Sequence, residues 1–246
     1  SLGGFMSRIL VSLYGVVSYI VFFLSFLYAI AFVGNIFVPK TIDSGDAGPV
    51  VSSVIINMIL LGLFAIQHSV MARPAFKHWF TRFIPEVIER STYVLLSSLL
   101  LFLLFWQWQK MPGIIWNIKS PVGSMILTSI FWFGWLFVLL STFMINHFDL
   151  FGLRQVYINF KGQEYSHLDF RIIGLYKLCR HPIMLGFVIA FWATPTMTTG
   201  HLLFAAVTTV YIYIALQFEE RDLVTFFGDV YKNYQQKVPM LFPFKW

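Results

Sequence analysis

The sequence predicts an all-α polytopic membrane bundle: four full spans followed by a C-terminal helical hairpin, five to six transmembrane helices in all. Three observations predict it. Of 246 residues, 58% are hydrophobic and only 11% charged, whereas soluble domains carry about 25% charged residues. The stretches 9–39, 47–72, 91–109, 120–148 and 181–218 hold no Asp, Glu, Lys or Arg, and each can supply the roughly 20 apolar residues a helix needs to cross a bilayer. Lys and Arg then fall mostly on one side of the alternating loops. With a mean hydropathy of +0.75, this composition excludes a soluble globular enzyme, a disordered chain and a nucleic-acid-binding domain, despite the net charge of +6.

Taken in order, Ser1–Phe5, ahead of Met6, reads as a cloning remnant. Residues 6–146 carry the four spans, near Ile9–Val38, Val50–Met71, Ser91–Trp108 and Val122–Asn146. The first has neither a short h-region nor a clean small-residue cleavage site, so it reads as a retained helix rather than a signal peptide. The 147–182 segment follows at the inner face. The last uncharged stretch is broken by Thr194-Pro195-Thr196-Met197-Thr198-Thr199-Gly200, a run of helix breakers. It therefore reads as a membrane hairpin over 183–217, with His201–Gln217 barely long enough to cross. Residues 218–246 form an inner-face C-terminal segment, and the whole chain is one functional domain.

A cytoplasmic N-terminus puts fourteen cations inside, among them Arg8, Arg73, Lys77, Arg154, Lys161, Arg180 and Lys245, against Lys40, Lys110 and Lys119 outside. The positive-inside rule selects this topology, with both termini cytoplasmic, and it holds only if 183–217 is a hairpin. The basic character then attracts anionic membrane lipid rather than nucleic acid. A single cysteine, Cys179, excludes a disulfide framework and a thiolate zinc site, and no metal site is expected.

Polar residues concentrate at the inner ends of the C-terminal half. The hairpin brings Arg180-His181 and Glu219-Glu220 together from nearly forty residues apart. Such a group suits a zwitterionic ligand, the carboxylates attracting an amine and Arg or His a carboxylate. Pro182 fits a first helical turn, and Gly186, one turn later, would let a flat ligand approach.

Tyr176–Gly186, Glu219-Glu220, Phe227-Gly228, Tyr231, Tyr234 and Val238-Pro239 resemble the C-terminal signature of isoprenylcysteine carboxyl methyltransferases and related phospholipid methyltransferases. With Gln67–Pro74, Glu89–Tyr93 and Asn146–Gln155 added, the chain resembles the bacterial methanethiol S-methyltransferases along nearly its whole length. The resemblance implies a multi-pass enzyme of the bacterial inner membrane that carries methyl from S-adenosylmethionine to methanethiol, giving dimethyl sulfide, at the cytoplasmic face. By carry-over, His181, Met184, Gly186 and Glu219 or Glu220 line the cofactor pocket, together with Tyr176, Arg180 and Pro182; Met184 stands where the signature has tyrosine. Two adjacent acids point about 100° apart on a helix, so one of the two should face the ligand.

A thiol must ionise to attack, so His147 and Asp149 are candidate bases and Arg154 a cation that promotes ionisation. His68 is read either as a packed, capped histidine or as a substrate contact. Two other classes stay open: a lipid or prenylcysteine methyltransferase, and a haem-binding isomerase or nitric-oxide-associated protein with His68 and His147 as axial ligands, since the His68-Ser69 element also resembles one in membrane proteins associated with nitric-oxide reduction and in haem-containing ζ-carotene isomerases. Cys179 reads as a buried small residue, and His201 lies far from the chemistry.

Overall fold

The computed structural model describes residues 2–244; Ser1 of the expected remnant, Lys245 of the expected inner cations and Trp246 lie outside it. The long helices are α1 (Leu2–Gly34), α2 (Val50–Met71), α4 (Glu89–Gln107), α5 (Pro121–Ile145) and α9 (Thr199–Phe227). Each is long and apolar enough to cross a membrane, and large side chains such as Leu10, Val17, Ile59, Leu99, Leu136 and Ile214 point outward from them. This is the surface a multi-pass membrane protein presents to lipid. Between the spans lie α3 (Pro74–Phe80), α6 (His147–Leu150), α7 (Leu153–Phe160) and α8 (Pro182–Trp192), and α10 (Asp229–Lys237) follows α9.

Alternation of the spans gathers the C-terminal ends of α2, α5 and α9 with the N-terminal ends of α1, α4 and α8. This end carries Arg73, Arg90, Arg154 and Arg180 and is called the basic end below. Aromatic residues fill the other half of the bundle. Phe32, Phe105, Trp108, Phe131, Trp135 and Phe204 form one buried cluster there.

The hairpin exists, but its proportions differ from the expectation. The breaker run forms a strand, β2 (Thr196–Thr198), paired antiparallel with β1 (Ile114–Asn117), a two-stranded ribbon the sequence reading did not foresee. The second arm does not stop at 217. α9 runs straight through Phe218–Asp222 to Phe227 and is a full span of 29 residues. The first arm, α8, has only 11 residues and lies along α5. At their crossing, a Cβ on Gly134 would stand 2.7 Å from the Ala190 amide nitrogen, and one on Gly186 would stand 2.8 Å from the Gly134 carbonyl. Small residues let two membrane helices approach backbone to backbone.

Candidate functional site

Glu220 is the hub of the basic end. Its Oε1 accepts from Arg180 Nε at 2.8 Å, from His181 Nε2 at 2.6 Å and from the Tyr231 hydroxyl at 2.9 Å. Its Oε2 accepts from Arg180 Nη2 at 2.9 Å and from the Gln235 amide. Five donors saturate the carboxylate. The third Arg180 nitrogen donates to the carbonyls of Gln235 and Val238. The backbone amides of Arg180 and His181 donate to Pro239 and Met240. One carboxylate thus ties the start of α8 to α9, to α10 and to the strand of chain after it.

Tyr176 lies in a 3₁₀ turn (Gly174–Lys177), donates to the Ser141 carbonyl at 3.2 Å and accepts on its own carbonyl from Tyr234. Burial, and then the Glu219 charge, push the Tyr176 phenol up. Burial and the Glu220 carboxylate do the same for Tyr231, which keeps its proton and donates it. Cys179 is buried beside Leu185, Leu216 and Leu241. Burial pushes its thiol up to about 11 against a hydrogen bond from the His181 backbone, so it is an inert packing residue at neutral pH.

Glu219, the next residue on α9, is half-buried. No hydrogen bond or ion pair to it is found among the described residues. It lies within electrostatic reach of Tyr93, Tyr176, Tyr211 and Tyr231. Beside it, α2 and the turn after it are each bound to α9. Ser69 Oγ meets the Tyr211 hydroxyl at 3.0 Å, and Arg73 Nη1 meets Asp222 Oδ2 at 2.6 Å. One turn inward, His68 Nδ1 lies 3.1 Å from Ser97 Oγ on α4, and the Tyr93 hydroxyl donates to the His68 carbonyl at 3.0 Å.

The other expected site residues are placed elsewhere. Gly186 opens no approach for a ligand, because α5 occupies the space beside it. Pro182 opens α8 as expected and is fully buried, while Met184 packs against the apolar cluster around Leu185 and Leu216. His147 makes no hydrogen bond with Asp149 or Arg154 among the described residues. Asn146 caps α6, accepting from the Asp149 amide at 3.1 Å, and Gly152, at φ +88, turns the chain into α7.

His147 has both ring nitrogens engaged, Nε2 at 2.7 Å from the Tyr19 hydroxyl and Nδ1 at 2.9 Å from Thr142 Oγ1. Thr142 gives its own proton to the Leu139 carbonyl, so Nδ1–H donates to Thr142 and Tyr19 donates to Nε2. Burial lowers the affinity of this imidazole for a second proton. The ring has no lone pair left for a substrate or for iron, so the residues do not fit the bis-histidine haem site considered from sequence. Asp149 and Arg154 pair at 2.9 Å, and Tyr165 donates to the same carboxylate oxygen at 3.0 Å.

Tyr93, Ser97 and Tyr211 were missed as site residues, and so was the role of Tyr231 and Gln235. A signal was present for the first two: polar residues four apart on an otherwise apolar helix share one face. Clefts of about 460 Å³ beside Tyr28 and Lys40 and about 260 Å³ beside Lys177 and Asn233 touch neither Glu219 nor His68.

Comparison with known proteins gives a consistent result. The family model described as NnrU protein matches residues 56–218. The Methanethiol S-methyltransferase of Mycobacterium tuberculosis is 57% identical over 97% of this chain and 98% of its own length. Methanethiol S-methyltransferase 2 of Bradyrhizobium diazoefficiens is 55% identical over 96% of the chain and 91% of its own. The Methanethiol S-methyltransferase of Crocosphaera subtropica is 54% identical over 98% and 94%. No solved structure matches the chain.

Proposed function

The chain belongs to the NnrU protein family and groups there with the methanethiol S-methyltransferases, and from that premise we propose that it methylates methanethiol to dimethyl sulfide, with S-adenosylmethionine as donor, at the cytoplasmic face of a bacterial inner membrane. Glu219 is the structural observation that carries the reading. A half-buried carboxylate without a hydrogen-bond partner, next to one saturated by five donors, suits the ammonium group of a zwitterion. S-adenosylmethionine, when bound, supplies an electrophilic methyl on a sulfonium sulfur.

The remaining work falls to the chain. Glu219 holds the cationic amine. Tyr93, Tyr176 and Tyr211 wall the site and keep water out, which strengthens every charge interaction inside it. Tyr176 and Arg180-His181-Pro182 belong to that wall as the frame that fixes α9 through Glu220. Asp149, Arg154 and Tyr165 brace the neighbouring loop. Methanethiol offers almost no polar handle, so selection among thiols rests on the size of the space left for the acceptor.

The decisive experiment incubates purified protein with methanethiol and S-adenosylmethionine and follows dimethyl sulfide in the headspace, with prenylcysteine and phospholipid as competing acceptors. Production of dimethyl sulfide is expected; methylation of a prenylcysteine or lipid alone would overturn the substrate assignment. Glu219→Ala should weaken S-adenosylhomocysteine about tenfold to a hundredfold in calorimetry, the equivalent of a charge-assisted contact of about 1.5–3 kcal/mol.

Sidedness has its own test. The inert Cys179 contributes no background labelling, so an impermeant thiol reagent applied from outside should modify a cysteine placed beside Lys40 or Lys110 and spare one beside Lys161. Labelling at 161 would reverse the topology.

A further inference from the structure

His68 sits one turn before the end of α2, its ring stacked on those of Phe64 and Tyr93 at centroid distances of 5.0 and 5.1 Å and interplanar angles of 18° and 30°. A chain of hydrogen bonds fixes which nitrogen carries the proton. The Gln67 amide nitrogen donates to Met71 Sδ at 3.1 Å, which turns its Oε1 toward Ser97. Ser97 has a single proton and gives it to that Oε1 at 3.1 Å. The contact between Ser97 Oγ and His68 Nδ1 is therefore donated by Nδ1–H. The lone pair is left on Nε2, and no described residue donates to it.

We infer that Nε2 of His68 is the proton acceptor of the methylation, and that Ser97 and Gln67 are positioning residues that hold it in this tautomer; the inference rests on the thiol-methyltransferase reading above. The thiol S–H bond breaks as the new S–CH₃ bond forms, the electron pair of the broken sulfonium bond stays on the departing sulfur, and the proton passes to Nε2. Charge balances within the site, since one cation is lost at sulfur as another forms on the imidazole. The net charge of the dry space is unchanged. Among charged and titratable groups, Arg90 on α4 acts on this ring and Tyr93 stacks on it, while Arg73 beyond α2 and Tyr211 and Glu219 on α9 act on Tyr93. His147 has no comparable capacity, because both of its nitrogens are already occupied.

His68→Gln should lower kcat for methanethiol at pH 7 by about 10²- to 10⁴-fold, the usual contribution of a positioned base, while S-adenosylhomocysteine affinity stays within about threefold. The deficit should shrink about tenfold per pH unit as hydroxide takes over the ionisation. Ser97→Ala should lower kcat about tenfold, the worth of one hydrogen bond, with KM unchanged. A readout independent of turnover is the ¹⁵N spectrum of histidine-labelled protein in detergent. The resonance that disappears in His68→Gln should report a proton on Nδ1 and none on Nε2. A proton on Nε2, a loss in His68→Gln that is the same at pH 7 and pH 10, or wild-type turnover in that variant would each overturn the assignment of the base alone. A wild-type protein that makes no dimethyl sulfide would remove the thiol reading, and the base with it.

Discussion

Glu220→Ala should destabilise the protein by about 3–5 kcal/mol, the cost of leaving a buried cation without its partner. The carboxylate is 9% exposed and the Arg180 side chain 10%, so water cannot replace what is lost. Four side chains lose their acceptor at once: Arg180, His181, Tyr231 and Gln235. Thermal unfolding in detergent should show a much lower midpoint, and the start of α8 should become open to protease. Glu219→Ala should behave in the opposite way, with an unfolding midpoint near wild type and a weakened ligand. If Glu220→Ala instead melts like wild type and loses only S-adenosylhomocysteine affinity, then the roles of the two glutamates are exchanged.

The second large effect lies at the crossing of α5 and α8. In Gly186→Ala the new methyl would stand 2.7 Å from Val138 Cγ2, 2.8 Å from the Gly134 carbonyl and 2.9 Å from the Val138 amide nitrogen. Two of these atoms are backbone, so no rotamer change relieves the clash and the helices must part. Overpacking of this kind costs about 1–3 kcal/mol. Gly134→Ala meets the Ala190 amide nitrogen at 2.7 Å and should cost a similar amount. The double variant should lose less than the two single losses together, because helices already separated by one methyl have room for the other. Full additivity, or no loss in either variant, would contradict this close packing.

The four long helices before the hairpin were legible because hydropathy averages over about 20 residues and tolerates local error. α9 was cut short at 217 because Glu219-Glu220-Arg221-Asp222 reads as the edge of a membrane. In the fold, Glu220 and Asp222 are neutralised by Arg180 and Arg73, so the helix passes through them and stops only at Gly228, φ +60. The ribbon was illegible because three- and four-residue strands carry no periodic signal. The site was legible as a neighbourhood, Arg180-His181 beside Glu219-Glu220, but not as a division of labour. Adjacent acids differ only in where the rest of the chain lies around them. Likewise, nothing in a sequence tells whether a histidine's nitrogens are occupied, which is what separates His147 from His68.

The shortness of α8 has a consequence for biosynthesis. At about 1.5 Å per residue, its 11 residues reach only about 16 Å, roughly half the hydrocarbon core. It is too brief to be recognised and released into lipid by itself as it leaves the ribosome. α9, with 29 residues, can be, so the two must be inserted as a pair, with α9 drawing α8 in behind it. The groove on α5 and the Ile114–Asn117 strand have to be in place by then to receive α8 and Thr196–Thr198. A nascent chain arrested before α9 has emerged should therefore leave residues 182–192 on the membrane surface, where a protease added from the ribosome's side would find them.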